Sequence, residues 1–182
     1  MTSIPNFVAG TWDIDPVHSE VSFVVRHMMV SKVRGRFEQV SGEIVTGDST
    51  EDSRVAATID VSSISTGNEQ RDGHIRSADF FEVESYPEWT FTSTAVVAKG
   101  DEYVLAGDLT IKGITKPVEL DLEVNGFGPD AWGGTRAGFT ATTTIKRSDF
   151  GVDIAMPMEG GGVVVSEKVG VELEIQAVLR AS

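Results

Sequence analysis

Residues 70–91 read QRDGHIRSADFFEVESYPEWTF, and they interrupt a chain that otherwise alternates β-branched or aromatic residues with polar ones. Asn68 stands just before this stretch and is a favourable N-cap residue, so the pattern predicts a short helix. Pro87 then biases the backbone toward an extended conformation, and the chain returns to a strand with Trp89 and Phe91 on one face. Such a helix either plugs one end of a β structure or covers an interior cavity.

Length and composition indicate a single domain, residues 1–182, and exclude several kinds of chemistry. A chain of 182 residues has room for a large core or for a partly hollow one. With 15 Lys and Arg against 28 Asp and Glu, the net charge of -13 argues against a nucleic-acid partner, because phosphates would be repelled. The chain has no cysteine, which excludes disulfides, thiolate metal sites and thiol nucleophiles.

The first twelve residues, MTSIPNFVAGTW, have neither a basic region nor a long apolar run. They do not resemble a secretion signal, so we expect a cytoplasmic protein unless a leader has been removed. No stretch of the sequence approaches the roughly 20 apolar residues that a membrane-spanning helix needs.

Alternation of apolar and polar residues predicts about eight antiparallel strands. The predicted segments number nine, the first two separated only by the break at Pro16: 11–15, 17–27, 36–45, 54–64, 89–98, 102–112, 117–125, 137–147 and 168–179. This number suits an all-β, up-and-down barrel with one short helical insertion, just wide enough for a slender ligand. A filled β sandwich would show the same periodicity, so the pattern leaves both architectures open.

Residues 17–27 alternate clearly, and we expect Val17, Phe23, Val25 and His27 to face inward. An inward imidazole among apolar groups has two interpretations. His27 is either a core histidine held by a hydrogen bond or a polar group presented to a ligand.

A basic island, residues 26–36, carries four of the 15 Lys and Arg residues, and we predict that it forms a turn between strands. One interpretation is a solvated hairpin whose charges protect a sheet edge. The other is a docking patch, in which Met28, Met29 and Val30 make transient contact with a membrane while the cations meet lipid phosphates.

Two further segments are predicted to be loops. Residues 126–134 are rich in glycine, but they do not connect a parallel strand to a helix, so we predict no nucleotide-binding loop. Residues 149–162 form a long connection, and long connections in compact β domains are often lids over a site.

Motifs for catalysis, metal binding or a cofactor are missing from the sequence. His18 and His27 have opposite parities on one predicted strand, so they are not expected to share a metal site, and His74 lies far along the chain. No hydrolase motif, P-loop, dinucleotide fingerprint or zinc pattern occurs. We therefore predict no catalytic residue, no metal and no cofactor.

Six short motifs occur in an order that points to a family. They are Asp15-Pro16-Val17-His18-Ser19 with Phe23 and His27, Gly35-Arg36-Phe37, Arg71-Asp72-Gly73-His74-Ile75-Arg76-Ser77 with Asp79-Phe80-Phe81, Tyr86-Pro87, Gly107-Asp108-Leu109-Thr110-Ile111-Lys112-Gly113, and Arg147-Ser148-Asp149-Phe150-Gly151. Over about residues 11–179 the chain thereby resembles the YceI-like family of bacterial lipid-binding proteins. The resemblance implies a lipocalin-like antiparallel barrel that holds a polyisoprenoid or similar amphiphile, often as a homodimer. Many relatives look periplasmic, which puts the compartment in doubt.

Strand parity and this resemblance together predict an apolar tunnel that holds a lipid tail and a set of polar residues that contacts the lipid head. The tunnel residues are Phe23, Val25, Phe37, Trp89, Phe91, Leu109, Ile111, Phe139, Ile145, Leu173 and Ile175. The head-group residues are His27, Arg147, Arg71 and His74. At about 0.8 kcal/mol per buried methylene, a tail of some 20 carbons nominally supplies roughly 16 kcal/mol, so tail burial would dominate the affinity.

The predicted function is therefore non-enzymatic binding, storage or transport of a long-chain isoprenoid, a quinone or a fatty amphiphile. The expected protein is a homodimer with a lipid partner and no nucleic acid. Two alternatives remain at this point: a lipid-modifying enzyme with His27 as general base, and a filled β domain that binds other proteins.

Overall fold

The computed structural model of the chain describes residues 4–27, 31–78, 80–152 and 167–181, with the side chains of His27 and Ser31 left out. The strands are β1 Gly10–Ile14, β2 Glu20–His27, β3 Ser31–Phe37, β4 Val40–Thr46, β5 Arg54–Asp60, β6 Ile64–Ser65, β7 Glu88–Lys99, β8 Glu102–Ile111, β9 Ile114–Pro129, β10 Thr135–Lys146 and β11 Lys168–Leu179. Within those ranges there is one α-helix, α1 Glu69–Arg76, and 3₁₀ turns occupy Thr50–Asp52, Val61–Ser63 and Arg147–Phe150.

Eight strands close into a barrel in the order β1-β4-β5-β7-β8-β9-β10-β11. Closure comes from β1, which pairs with β4 on one side and with β11 on the other, where Trp12 lies opposite Leu179. Every pairing in the sheet is antiparallel. The predicted all-β, eight-stranded antiparallel barrel with one helix is confirmed.

The remaining strands extend one end of the barrel. β1 and β2 are successive parts of one run, and both pair with β11, β1 near Ala177 and β2 between Gly170 and Glu174. β3 pairs with β2, and its other edge meets β6 at only Arg36 and Phe37. We call the end where β2 finishes the upper end and the end where β1 begins the lower end. The described residues contain no helix long and apolar enough to cross a membrane.

The inward orientation predicted for Val17 is wrong. Its side chain is 82% exposed, because the chain turns at Pro16 and β2 begins only at Glu20. The turn is stabilised by Asp15, whose Oδ1 accepts a hydrogen bond of 2.9 Å from the backbone N–H of Val17. An aspartate that bonds the backbone two residues later is a common way to start a turn.

The basic island is mostly strand rather than turn. Residues 31–36 belong to β3 and pair with β2 in a regular register, from Ser31 opposite His27 to Arg36 opposite Ser22. The cross-strand ladder with an apolar inner face stabilises this segment, whereas the sequence shows mainly its outward charges. Met28, Met29 and Val30, which connect the two strands, lie outside the described residues.

The glycine-rich segment 126–134 is only partly a loop. β9 continues to Pro129, and the turn is confined to residues 130–134. The register of β9 against β10 shifts so that Gly138 lies opposite Gly126 and Phe139 opposite Val124. This is a β-bulge, and Gly126, with φ at 155°, lets the strand bend and continue. Of the predicted 149–162 connection, residues 153–162 lie outside the described ranges.

Candidate functional site

Two cavities lie inside the barrel, an upper one of about 330 Å³ and a lower one of about 150 Å³. Four side chains line both of them, namely Val21, Trp89, Ile145 and Val171. These four residues, which we call the waist, separate the two spaces by no more than their own thickness. The two cavities therefore lie next to each other in the interior, with the waist between them.

Trp89 is the largest residue of the waist, and aromatic contacts hold it in place. Its side chain is 7% exposed, and its ring meets those of Phe37 and Phe81 at centroid distances of 4.7 and 4.9 Å. Both contacts are edge-to-face, the arrangement that aromatic quadrupoles favour. Phe37 comes from β3 and Phe81 from the segment after α1, so Trp89 joins the barrel wall to the cover of the upper cavity.

The helix α1 covers the upper cavity. Asn68 caps it, because its side chain accepts a hydrogen bond of 2.9 Å from the backbone N–H of Arg71. The carboxylate of Asp72, 3% exposed, accepts hydrogen bonds from the backbone N–H and the hydroxyl of Thr66. Ile75 points to the cavity from the same helix. Of the two interpretations of this helix, the structure supports a cover over an interior space.

Three of the predicted head-group residues, Arg71, His74 and Arg147, line the upper cavity. The Arg71 guanidinium donates from Nε to the Thr66 hydroxyl and from Nη2 to the Thr66 carbonyl, both at 2.8 Å. Nη1 of Arg147 donates to the carbonyl oxygen of Val152 at 2.8 Å. These bonds hold two positive charges beside an apolar space. The side chain of His27 lies outside the described part of the chain, so its role stays a prediction.

All eleven residues predicted to form the tunnel line one cavity or the other. The upper cavity includes Phe23, Val25, Phe37 and Ile111, and the lower one Phe91, Leu109, Phe139, Leu173 and Ile175, while Trp89 and Ile145 belong to the waist. Strand parity thus identified wall positions on several strands. That these residues contact a ligand stays a prediction.

Two glycines allow aromatic rings to lie flat against the wall. A Cβ built on Gly35 would be 2.2 Å from Cζ of Phe23, and one on Gly107 would be 2.4 Å from Cζ of Phe91. No real atom tolerates such a distance, so each ring occupies the place of the missing side chain. Small residues at inward positions therefore make room for neighbouring rings as well as for the cavity.

Sequence reasoning missed the wall residues that come from loops. In the upper cavity these include Thr66, Phe80, Phe81, Phe150 and Val152, and in the lower one Ile4 and Phe7. Parity arguments apply only to strands, so loop residues have no predicted direction. The available signal was composition, since Phe80, Phe81 and Phe150 are large apolar residues in otherwise polar segments.

The lower end of the interior also has polar neighbours, Thr46, Thr50, Ser53 and Arg54. The hydroxyl of Thr46 donates to the carbonyl of Val8 at 2.7 Å, and that of Ser53 donates to the carbonyl of Ser49 at 3.1 Å. These hydroxyls are thus engaged in bonds that stabilise the surrounding loops.

A charged network lies on the outer wall, away from both cavities. Nη1 of Arg136 donates to Asp15 at 2.7 Å, and its Nε donates to Asp130 at 3.2 Å. His18 contacts the same Asp15 oxygen through Nδ1 at 2.7 Å. The pKa of Asp15 is lowered to about 2, chiefly because Arg136 donates to it, with His18 and the Val17 backbone adding to the effect against the opposing influence of burial.

The network joins the break between β1 and β2 to β10 and to the loop 130–134. Backbone N–H groups of Gly134 and Trp132 donate to Asp130, and they lower the pKa of its carboxyl, with Arg136 adding to the effect. His18 is thus part of a structural ion network. Among the described residues, no three His, Asp or Glu side chains are grouped so that they could hold a metal ion.

The fold and the cavities define a class, that of small antiparallel β-barrels with a mostly apolar, partly hollow interior. A family model described as "YceI-like domain" matches residues 12–177. The chain belongs to the YceI-like family.

Curated relatives support this membership over most of the chain. Protein YceI of Escherichia coli O157:H7 is 41% identical over 155 residues, which cover 84% of this chain and 81% of that protein. A UPF0312 protein of Vibrio parahaemolyticus is 39% identical over 168 residues, covering 91% of this chain and 85% of the relative. Both alignments extend well beyond a single motif.

Solved structures with the same fold are also available for comparison. BcnA of Burkholderia cenocepacia has a TM-score of 0.77 at 26% identity, covering 90% of this chain and 98% of the other. A domain from Saccharophagus degradans, described as a polyisoprenoid binding domain implicated in plant cell wall breakdown, has a TM-score of 0.71 at 20% identity, covering 95% of this chain and 100% of that one. At that identity the second comparison shows the fold alone.

Proposed function

We propose that this protein binds a long-chain isoprenoid or a similar amphiphilic lipid inside the barrel and stores or transports it without altering it chemically. The observation that carries the proposal is the pair of adjoining cavities with mostly apolar walls, which share the four residues of the waist. A slender hydrocarbon chain fits such a space, whereas a compact polar metabolite would lose its hydration without gaining hydrogen bonds. The structural neighbour described as a polyisoprenoid binding domain supports the same ligand class.

The proposed orientation places the lipid head at the upper end. Arg71, His74 and Arg147 are ionisable residues grouped there, and the upper cavity of about 330 Å³ lies within the usual range of roughly 300–1,000 Å³ for ligand sites. The tail then passes the waist and reaches the lower cavity. In this arrangement burial of the tail supplies most of the affinity, and the cations select the direction of binding.

Two finer parts of the proposal, carriage without catalysis and the homodimer, rest on fewer observations. We propose carriage rather than catalysis, because the interior offers mainly apolar groups and the Arg71 and Arg147 side chains are committed to hydrogen bonds with the protein. The homodimer is proposed on the family resemblance only. Light scattering of the purified protein measures its mass directly, and a monomer at all concentrations would contradict the dimer.

The proposed function is tested by mass spectrometry of an organic extract of the purified, folded protein. We expect an isoprenoid-type lipid in amounts comparable to the protein, and none in a sample that was denatured and washed before extraction. A folded protein that carries only traces of lipid and takes up no added isoprenoid would contradict the proposal. That outcome would favour a β domain that binds other proteins.

We further propose that the hairpin of β2 and β3 makes the transient membrane contact that lets the lipid enter and leave. Lys32 and Arg34 are exposed on β3, next to the apolar residues 28–30, whereas Arg36 lies near Glu20 at 3.7 Å and Glu38 at 3.2 Å. Arg36 is therefore partly neutralised. The two other cations are better placed to meet anionic lipid head groups.

Replacing Lys32 and Arg34 with glutamine should slow the transfer of isoprenoid from anionic vesicles. Each cation near such a surface contributes about 1 kcal/mol, so we expect each single variant to slow transfer several-fold and the double variant roughly tenfold or more. The matched control is Lys99→Gln, which removes one charge from the β7–β8 hairpin at the lower end. Equal transfer rates in all variants, or the same loss with neutral vesicles, would contradict membrane docking by this hairpin.

A further inference from the structure

Residues 4–8, which precede the first strand, cover the lower end of the interior. Ile4 and Phe7 line the lower cavity. The Phe7 ring meets Phe127 edge-on at 5.3 Å, and Phe127 in turn meets Trp12 at 5.4 Å, with Trp12 only 1% exposed. A group of packed aromatic rings therefore backs this part of the lower cavity wall.

The local sequence folds this segment into a defined shape. The backbone N–H of Phe7 donates to the carbonyl of Ile4 at 3.3 Å, and Asn6 has φ at 62°. Proline at the second position and asparagine with positive φ at the third are the features of a type II turn. The turn brings Ile4 and Phe7 to the same side while Pro5 and Asn6 stay exposed.

A buried hydroxyl anchors the segment to the barrel. Thr46, 6% exposed, donates from Oγ1 to the carbonyl of Val8 at 2.7 Å and accepts from Nε1 of Trp12 at 2.9 Å. Because Thr46 ends β4 and Trp12 lies in β1, the anchor ties residues 4–8 to two paired strands. The position of Phe7 is thus set by a turn, an anchor and a ring contact.

We propose that residues 4–8 act as a plug that sets the longest isoprenoid tail the protein accommodates, and that Phe7 is the residue against which the tail ends. The inference rests on the proposed function. A tail that enters from the upper end gains affinity with every carbon it buries until its end reaches Phe7. Further isoprene units stay in water and add nothing, so the plug determines chain-length specificity.

The test compares Phe7→Ala and Phe7→Trp with the wild type, using farnesol, geranylgeraniol and longer polyprenols in competition with a fluorescent isoprenoid analogue. In the wild type we expect affinity to rise with chain length and then level off. Phe7→Ala should move this limit to longer chains, with about a tenfold gain for every two newly buried carbons, and Phe7→Trp should move it to shorter ones. General destabilisation would weaken all lengths alike, so opposite shifts identify a plug.

The control is Trp132→Ala, which removes an aromatic side chain that is 78% exposed near the same end and does not line the cavity. It should leave the length limit unchanged. The same limit in the wild type and both Phe7 variants would overturn the plug while the proposed function stands. Failure of the wild type to bind any isoprenoid would instead overturn the proposed function, and the plug with it.

Discussion

Replacing Trp89 with arginine should abolish the retention of isoprenoid, reducing the extracted lipid to less than about a tenth of the wild-type amount. Trp89 lines both cavities, so the substitution would place a charged group at the waist, where the proposed path of the tail crosses from one cavity to the other. A guanidinium in apolar surroundings either keeps its hydration water or is desolvated at a cost of several kcal/mol. In both cases a hydrocarbon chain is excluded from the waist. Quantitative mass spectrometry of the extract measures the effect.

Folding and binding are separated by two companion variants. Phe91→Arg places the same charge in the lower cavity at a half-buried position, where the fold should tolerate it better. Thr90→Arg adds an identical charge to the same strand, but at an exposed position. We expect lipid loss with Phe91→Arg and none with Thr90→Arg. Equal retention in all three variants would contradict the assignment of the interior as the lipid site.

Replacing Arg136 with alanine should lower the free energy of unfolding by clearly more than the removal of an exposed ion pair does. Its two partners, Asp15 and Asp130, have side chains only 13% and 8% exposed, and they would lose their guanidinium partner. The effect is measured by urea unfolding near neutral pH. The network connects the break between β1 and β2 to β10. Its loss should therefore also destabilise the pairing of these strands with β11.

Arg180 provides the matched control, because it also bridges two acids. It pairs with Asp13 at 2.5 Å and with Glu43 at 3.1 Å, but all three side chains are about half exposed. Exposed ion pairs are screened by water, so Arg180→Ala should lower the free energy of unfolding much less than Arg136→Ala does. Equal losses in the two variants would show that burial of the Arg136 network does not determine its contribution.

The Arg136 effect should also depend on pH in a defined direction. The pKa of Asp15 is lowered from its ordinary value of 3.8 to about 2 in the folded protein, mainly by Arg136. The stabilisation is therefore complete above about pH 4 and disappears as the pH falls toward about 2. The difference in unfolding free energy between wild type and Arg136→Ala should shrink across that interval. A difference that stays constant would argue against the charge pair as its cause.

Strand parity was the most informative feature of the sequence, because it depends only on local chain geometry. A side chain two positions along a strand points to the same face whatever the partner strand is, so parity alone predicts that Leu173 and Ile175 face inward. The method was wrong where the backbone leaves the strand. Val17 lies in a turn, and β9 continues through a bulge at Gly126. Alternation of apolar and polar residues predicts neither the turn nor the bulge.

The sequence by itself determined the number and faces of most barrel strands and the cap of α1 at Asn68, since each depends on residues within a few positions of one another. The tertiary structure alone decided which strands pair, where the waist lies and what closes the lower end. Asp15 and Arg136 are 121 positions apart in the chain, and the anchor from Thr46 to Val8 spans 38. Such contacts form only after the barrel closes, because closure brings together segments that carry no local signal of one another.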